Sequence, residues 1–330
     1  MSKKVKIKAF DYPLYLFVRG FAGLINSLPV GISTRIARFF GSLFYILMPK
    51  RRKTALSNLS LAFRDSISHE QKKFLAKEAF CNIATSLMEF FRIPSMLRDA
   101  SMRFEIEGAE HLDRALAKGK GVLFVVSHLG SWEYLEFLFY LRNYSCMVVV
   151  REIKNAYIYR WLQSLREQTR IRSVDRVRSV KEILRSLKRN QMVAVLIDQW
   201  AGHDGVWVDF FGEKTSTTSL PARLASRTGA ALVPGYCIRT TPGNYKIVLK
   251  PEIPVNTADE NFEEETTLKL NRQLEEEIRH YPGQWTWTHR RWKNFSRYQR
   301  VVSAILISVA LPSLLSKPWF DWISTQVLAA

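Results

Sequence analysis

His128 closes an apolar run, and Glu133 follows five positions later. The run Val122 to Val126 has the length and β-branched content of a buried strand. Leu129-Gly130-Ser131 reads as a tight connection, after which Leu135, Phe137, Leu138 and Leu141 recur at helical spacing. A carboxylate in the first helical turn can accept from one imidazole nitrogen of a histidine at the strand end. That fixes the tautomer and leaves the other nitrogen free to take a proton. The pattern therefore predicts a general base, His128, oriented by Glu133. A structural His–Glu pair has the same spacing, so the spacing alone leaves both readings open. Two more apolar strands end in charged residues: Arg151 follows 146–150 and Asp198 follows 192–197. Ligands of open parallel sheets bind beyond the carboxyl ends of the strands. A base, a cation and a carboxylate on one rim make a candidate site.

Other chemistries fit poorly. The chain has no G-x-x-x-x-G-K-[ST] loop, no G-x-G-x-x-G after a strand and no G-x-S-x-G elbow. The remaining histidines (His69, His111, His203, His280 and His289) show no ligand spacing, so no metal and no bound cofactor are expected. Ser131 lies three residues from His128 on one turn, a poor position for a nucleophile. A base without a nucleophile of its own activates a substrate hydroxyl or a water. The backbone N–H groups of Gly130 and Ser131, at a helix start, are expected to hold the developing oxyanion.

The elements that must carry these residues alternate from Met102 onward. Short strands are expected at 104–108, 121–127, 146–150, 171–174 and 192–197, and helices at 132–142, 154–169 and 177–188. A long loop over 198–216 leads to a helix near 220–227. Two strands follow, ALVPGYCIR and YKIVLK, then a charged helix over 261–280 and WTWTHRRWK. Continuous apolar strands separated by amphipathic helices define an α/β class, a mostly parallel sheet with helices on both faces. Earlier in the chain, Ser68 and Gln71 have capping-box spacing ahead of a long helix. Three scattered cysteines, Cys81, Cys146 and Cys237, sit in apolar patterns and read as buried thiols of a reducing compartment.

The 330 residues carry a net charge of +19, unevenly placed. Residues 1–53 hold eleven Lys/Arg against Asp11 alone, beside two largely apolar stretches, 12–30 and 31–48. Charge gathered beside amphipathic helices points to an anionic membrane surface before nucleic acid. A core-packed helical hairpin is the competing reading. A nucleic-acid binder would cluster its cations with exposed aromatics on the folded domain. The expected division is a membrane-associating helical region over 1–60, a catalytic α/β domain over 61–297, and a hydrophobic tail over 298–330.

SHLGSWE resembles the H-x-x-x-x-[DE] block of the lysophospholipid acyltransferase superfamily, and the chain is similar to the late acyltransferases of lipid A biosynthesis. The likeness runs through RRKTALSNLSLAF, VVVREIKN, the long block with Asp198-Gln199, Phe210-Phe211-Gly212 and Leu232-Val233-Pro234-Gly235, and WTWTHRRWK. It implies transfer of a fatty acyl group from acyl carrier protein to a hydroxyl of a phosphorylated lipid A precursor, at the cytoplasmic face of a bacterial inner membrane. It makes His128 the base and Glu133 its partner, and puts Arg151 near a donor or acceptor phosphate. Asp198, Gln199 and the loop to Phe211 and Gly212 fall where acceptor binding is expected. An acyl-CoA donor with a lysophospholipid or phosphatidylinositol mannoside acceptor is the alternative within the same chemistry.

Overall fold

The computed structural model describes residues 10–150, 152–175, 179–202 and 204–293. Arg151 and the tail beyond 293 lie outside the described residues, and so do the expectations placed on them. The chain divides into two compact units, Met1–Arg291 and Trp292–Ala330, and all that follows concerns the first.

Four helices open the fold: α1 (Asp11–Ser27), α2 (Val30–Leu47), α3 (Pro49–Phe63) and α4 (His69–Phe91). The capping box is present, with Ser68 Oγ accepting from the Gln71 N–H and Gln71 Oε1 from the Ser68 N–H. Two single-turn helices, α5 (Ile93–Met96) and α6 (Ala100–Arg103), lead into β1 (Phe104–Glu107) and α7 (Ala109–Ala117). Then come β2 (Val122–Val126), a 3-10 turn at Trp132–Leu135, α8 (Glu136–Leu141), β3 (Cys146–Val150), α9 (Ala156–Glu167), β4 (Ile171–Asp175), α10 (Ser179–Lys188) and β5 (Met192–Leu196). The unit continues through β6 (Val206–Phe210), β7 (Glu213–Thr217), α11 (Leu220–Thr228), β8 (Ala231–Thr241), β9 (Asn244–Leu249) and α12 (Phe262–His280).

Seven strands form one sheet in the order β1-β9-β8-β2-β5-β3-β4. Every neighbour pair is parallel except β8–β9, whose tight connection makes it a hairpin and reverses β9 and β1 relative to the other five. β2 lies at the centre, and all five of its residues are buried. Its side chains alternate between two cores, as the period of a strand requires. Val122, Phe124 and Val126 face one cluster, with Phe90 and Phe91 of α4 and Phe137 and Leu138 of α8. Leu123 and Val125 face the other, with Ile183 and Leu187 of α10, Leu224 of α11 and Leu270 of α12. The α/β class and the covering of both faces are as the sequence pattern predicts. All three cysteines are buried and free.

Two local expectations are corrected. The span 198–216 is not all loop, because Val206–Phe210 pairs antiparallel with Glu213–Thr217. The helix expected over 132–142 opens with a 3-10 turn, bonded from the Tyr134 N–H to the Ser131 carbonyl at 2.8 Å.

Candidate active site

The parallel register of β2 and β5 pairs Val126 with Leu196. Two residues further along each strand stand His128 and Asp198, side by side where the sheet ends. Asp198 Oδ1 lies 2.9 Å from His128 Nδ1, and Asp198 Oδ2 accepts from the His128 backbone N–H at 2.8 Å. Trp285 Nε1 donates to the same Oδ2 at 3.0 Å. Burial alone would raise the Asp198 pKa, but the imidazole and these donors outweigh it and hold the carboxyl at about 2. Asp198 is therefore ionised at neutral pH. An acceptor at Nδ1 places the ring proton there and leaves the lone pair on Nε2. Burial disfavours the charged imidazole, yet Asp198 more than offsets this and the His128 pKa is raised. The Trp132 and His128 rings lie with centroids 5.2 Å apart at an interplanar angle of 63°, and Thr286 Oγ1 donates to the His128 carbonyl at 3.1 Å. Gln199 is exposed, with its amide nitrogen 3.5 Å from His128 Nε2.

Glu133 does not hold the imidazole. Arg166 of α9 donates from Nη2 to both of its oxygens, at 3.0 and 3.1 Å, and the guanidinium also lies 4.8 Å from the centroid of the Phe90 ring. A guanidinium is always charged and binds a carboxylate more strongly than an imidazole does. The Glu133 charge still acts on His128 through space, raising its pKa further.

The loop between them is fixed from below. Gly130, at φ +64°, approaches so closely that a Cβ there would stand 2.0 Å from the Cys237 carbonyl oxygen. Its N–H donates to the Gln284 carbonyl at 2.9 Å, and the Ser131 N–H to the Cys237 carbonyl at 2.7 Å. Both donors are committed, which overturns the expectation that they form an oxyanion hole. The Ser131 side chain is equally bound: it is fully buried and donates to Glu89 Oε2 at 2.5 Å. Glu89 in turn accepts from Arg239 Nε and Nη2, both at 2.6 Å, and from the Tyr245 hydroxyl at 3.0 Å. This buried ion pair anchors the histidine loop to α4 and β8.

Phe211 and Gly212 are placed elsewhere. They form the β6–β7 turn, both at positive φ, and Phe211 packs against Phe63, Phe210 and Trp287 with the Arg279 guanidinium 4.7 Å from its ring centroid. They belong to the aromatic layer behind Trp285 and are not brought to His128. Sequence reasoning passed over Trp285 and Arg291 individually, although both lie in the WTWTHRRWK segment. Arg291 is fully buried and donates to the carbonyls of Gln199 and Ser216 at 3.2 and 2.8 Å and to Thr217 Oγ1 at 2.6 Å. Burial brings its pKa down to about 10 against the pull of Asp198. It ties the segment after Asp198 to the β6–β7 hairpin.

His128 stands on the wall of a cavity of about 420 Å³. Phe124, Leu135, Phe139, Val148, Ile171 and Ala194 make it apolar, while Glu133, Arg166 and Glu136 interrupt the apolar wall. No group of three or more His, Cys, Asp or Glu suited to a metal ion occurs among the described residues. An imidazole whose Nε2 carries the lone pair and meets, among the described residues, only the exposed Gln199 amide at 3.5 Å, beside an apolar space of this size, is equipped to deprotonate a hydroxyl next to a bound hydrocarbon chain.

The comparisons agree with that class of chemistry. The family model described as bacterial lipid A biosynthesis acyltransferase matches residues 1–294. The chain belongs to this family and is an acyltransferase. It is 26% identical to the lipid A biosynthesis palmitoleoyltransferase of Escherichia coli K12, across 86% of this chain and 92% of that one. With the lipid A biosynthesis lauroyltransferase of the same organism it shares 28% identity, across 83% and 89%. A phosphatidylinositol mannoside acyltransferase of Mycobacterium tuberculosis is 33% identical over a shorter stretch, 45% of this chain and 49% of that protein.

Proposed function

We propose that the protein transfers a fatty acyl group from an acyl-carrier-protein thioester to a hydroxyl of a phosphorylated lipid A precursor, at the cytoplasmic face of a bacterial inner membrane. The observation that carries this reading is the His128–Asp198 pair on the wall of an apolar cavity. The lone pair on His128 Nε2 takes the proton of the acceptor hydroxyl as its oxygen attacks the thioester carbonyl carbon. The C–S bond then breaks, and the imidazolium returns the proton to the departing sulfur. Ionised Asp198 holds the ring and stabilises the imidazolium between these two transfers. A thiol leaves readily, with a pKa of roughly 8.5, so no acyl-enzyme is needed. The exposed Gln199 amide beside Nε2 is positioned to donate to substrate, and Glu133 acts on the base by its field.

A basic protein suits both substrates, since the carrier is acidic and the acceptor phosphorylated. The mycobacterial relative favours a second reading in which the acceptor is a phosphatidylinositol mannoside; an acyl-CoA donor is the alternative thioester within the same chemistry. Competition between the two thioester donors in a purified assay separates them. The test of the mechanism is His128→Ala, which should lower the transfer rate by about two to four orders of magnitude with the fold intact. Near-normal turnover by a folded variant would remove His128 from the reaction.

A further inference from the structure

The apolar cavity takes up one side of His128 only. None of its lining comes from residues 199–200 or 286–291, although Gln199 stands beside Nε2 and Thr286 holds the His128 carbonyl. A fatty chain in the cavity therefore leaves the Gln199 side to the molecule that brings the hydroxyl. His289 belongs to that side. Its Nε2 accepts from the Trp200 backbone N–H at 3.1 Å, and since an amide N–H only donates, the ring proton is on Nδ1. The ring is half-buried, and its Nδ1–H is accessible and has no hydrogen-bond partner among the described residues. Burial pushes the His289 pKa down, and Arg291, His128 and Arg51 add to this against the pull of Asp198, so the donor is a neutral imidazole.

The same segment is held by α3. Buried Asn58 donates from Nδ2 to the Trp287 and His289 carbonyls at 2.8 and 2.7 Å. Two turns earlier, Arg51 donates from Nη1 to the Thr288 carbonyl at 3.3 Å. Arg51 is exposed and makes no other hydrogen bond among the described residues, and Arg290, next to His289 in the chain, is exposed as well. Neither arginine has an ion pair among the described residues, and the Asp198 charge is already matched by His128. Spare N–H donors and cations with no carboxylate to answer them ask for an anion.

We propose that Arg51 and the Nδ1–H of His289 form a subsite for a phosphate monoester on the acceptor, outside the acyl cavity and on the Nε2 side of the catalytic pair. The inference rests on the acyl-transfer reading and names a group that its acceptor carries at this point. The phosphate oxygens accept from the remaining donors of the Arg51 fork and from His289, with Arg290 adding charge. A bare hydroxyl in the same place would leave that charge unanswered and bind more weakly.

The experiment uses the full chain in neutral detergent micelles, with a phosphorylated lipid A precursor and the same lipid after phosphatase treatment as acceptors. The wild-type KM should be about tenfold to a hundredfold lower for the phosphorylated lipid, with similar kcat. Arg51→Gln should abolish most of that preference by raising the KM of the phosphorylated lipid alone, and Arg51→Lys should restore part of it. His289→Gln can still accept from Trp200 but has no donor at the Nδ1 position, and it should lose part of the preference too. If the wild type consumes no thioester, the acyl-transfer reading fails, while calorimetric binding of the two lipids still decides this one. A wild type that treats the two lipids alike overturns the proposal. So does an Arg51→Gln protein that keeps the preference and loses only binding to anionic vesicles, which would assign Arg51 to bilayer phosphates. A rise confined to the KM of a carrier-protein thioester overturns it as well, and would assign Arg51 to the acidic carrier.

Discussion

Asp198 and His128 are 70 positions apart in sequence, and their pairing governs how the site responds to pH. Asp198 raises the pKa of the imidazole, so it fixes the pH below which the base is protonated and idle. Asp198→Asn removes that charge and lets Nδ1 accept instead of donate, which turns the wrong nitrogen toward the acceptor hydroxyl. The turnover number should fall by about two to four orders of magnitude. The acid limb of whatever activity remains should move to lower pH, and a pH–rate profile of the two proteins measures both effects. An unshifted limb would show that Asp198 does not set the charge on His128.

The same pair predicts a stability change with a definite sign. Asp198 is held at about 2, below its unfolded value, so its contribution is present above an unfolded pKa of roughly 3.9 and is lost as pH falls toward 2. The His128 pKa is raised, so its contribution is complete below roughly 6.5 and is lost as pH rises through the folded value. For Asp198 the window is worth on the order of 2 kcal/mol, at about 1.36 kcal/mol per pH unit. Urea unfolding of wild type and Asp198→Asn across pH 2–5 should show a difference that shrinks toward the acid end.

At the scale of elements, the histidine loop is positioned from behind more than from its own sequence. Gly130→Ala would drive a methyl into the Cys237 carbonyl, and backbone does not yield as a flexible side chain does. Thermal unfolding should show a loss of at least about 1–3 kcal/mol, with transfer reduced along with it. Removing one partner of the buried Glu89–Arg239 pair leaves an uncompensated charge, and Arg239→Met should cost about 3–5 kcal/mol. The central strand and its two-sided burial were legible because Val122–Val126 is apolar throughout, too short for a core helix and rich in β-branched residues. The rim was legible too, since His128 and Asp198 each follow an apolar strand. Which carboxylate serves the imidazole was not, because the choice depends on β2 and β5 being neighbours in register. A local reading sees Glu133 at five positions and has no access to Arg166 arriving from α9. The Gly130 and Ser131 N–H groups failed for the same reason, since their acceptors, Gln284 and Cys237, come from distant parts of the chain.

For the molecule as a whole, the question is what the outer faces of α1 and α2 meet. α2 passes so close to α4 that a Cβ on Gly41 would stand 2.5 Å from Cys81 Cα, and Ser33 and Ala37 are buried on the same stripe. The opposite faces leave Phe17, Leu24, Phe39, Phe44, Ile46 and Leu47 exposed. By length and composition Val30–Leu47 is able to cross a membrane. Its partner argues for lying on one instead: Arg38 forms a two-bond ion pair with Glu78 of α4 at 2.7 and 3.0 Å, and α4 carries charged residues along its first turns. Spanning would carry that pair into hydrocarbon, where charge is costly. Lying flat would bury only the apolar face, and the exposed Lys50, Arg51 and Lys53 follow directly after α2 in the chain, a charge suited to lipid phosphates. Phe17→Glu with Phe39→Glu should therefore weaken binding to anionic vesicles by tenfold or more, at about 1.5–3 kcal/mol per buried phenylalanine. Raising the salt concentration should weaken wild-type binding only in part, since the apolar contribution remains. Vesicle co-sedimentation measures both, and a double variant that pellets like wild type would show that this face is not the one in contact with lipid.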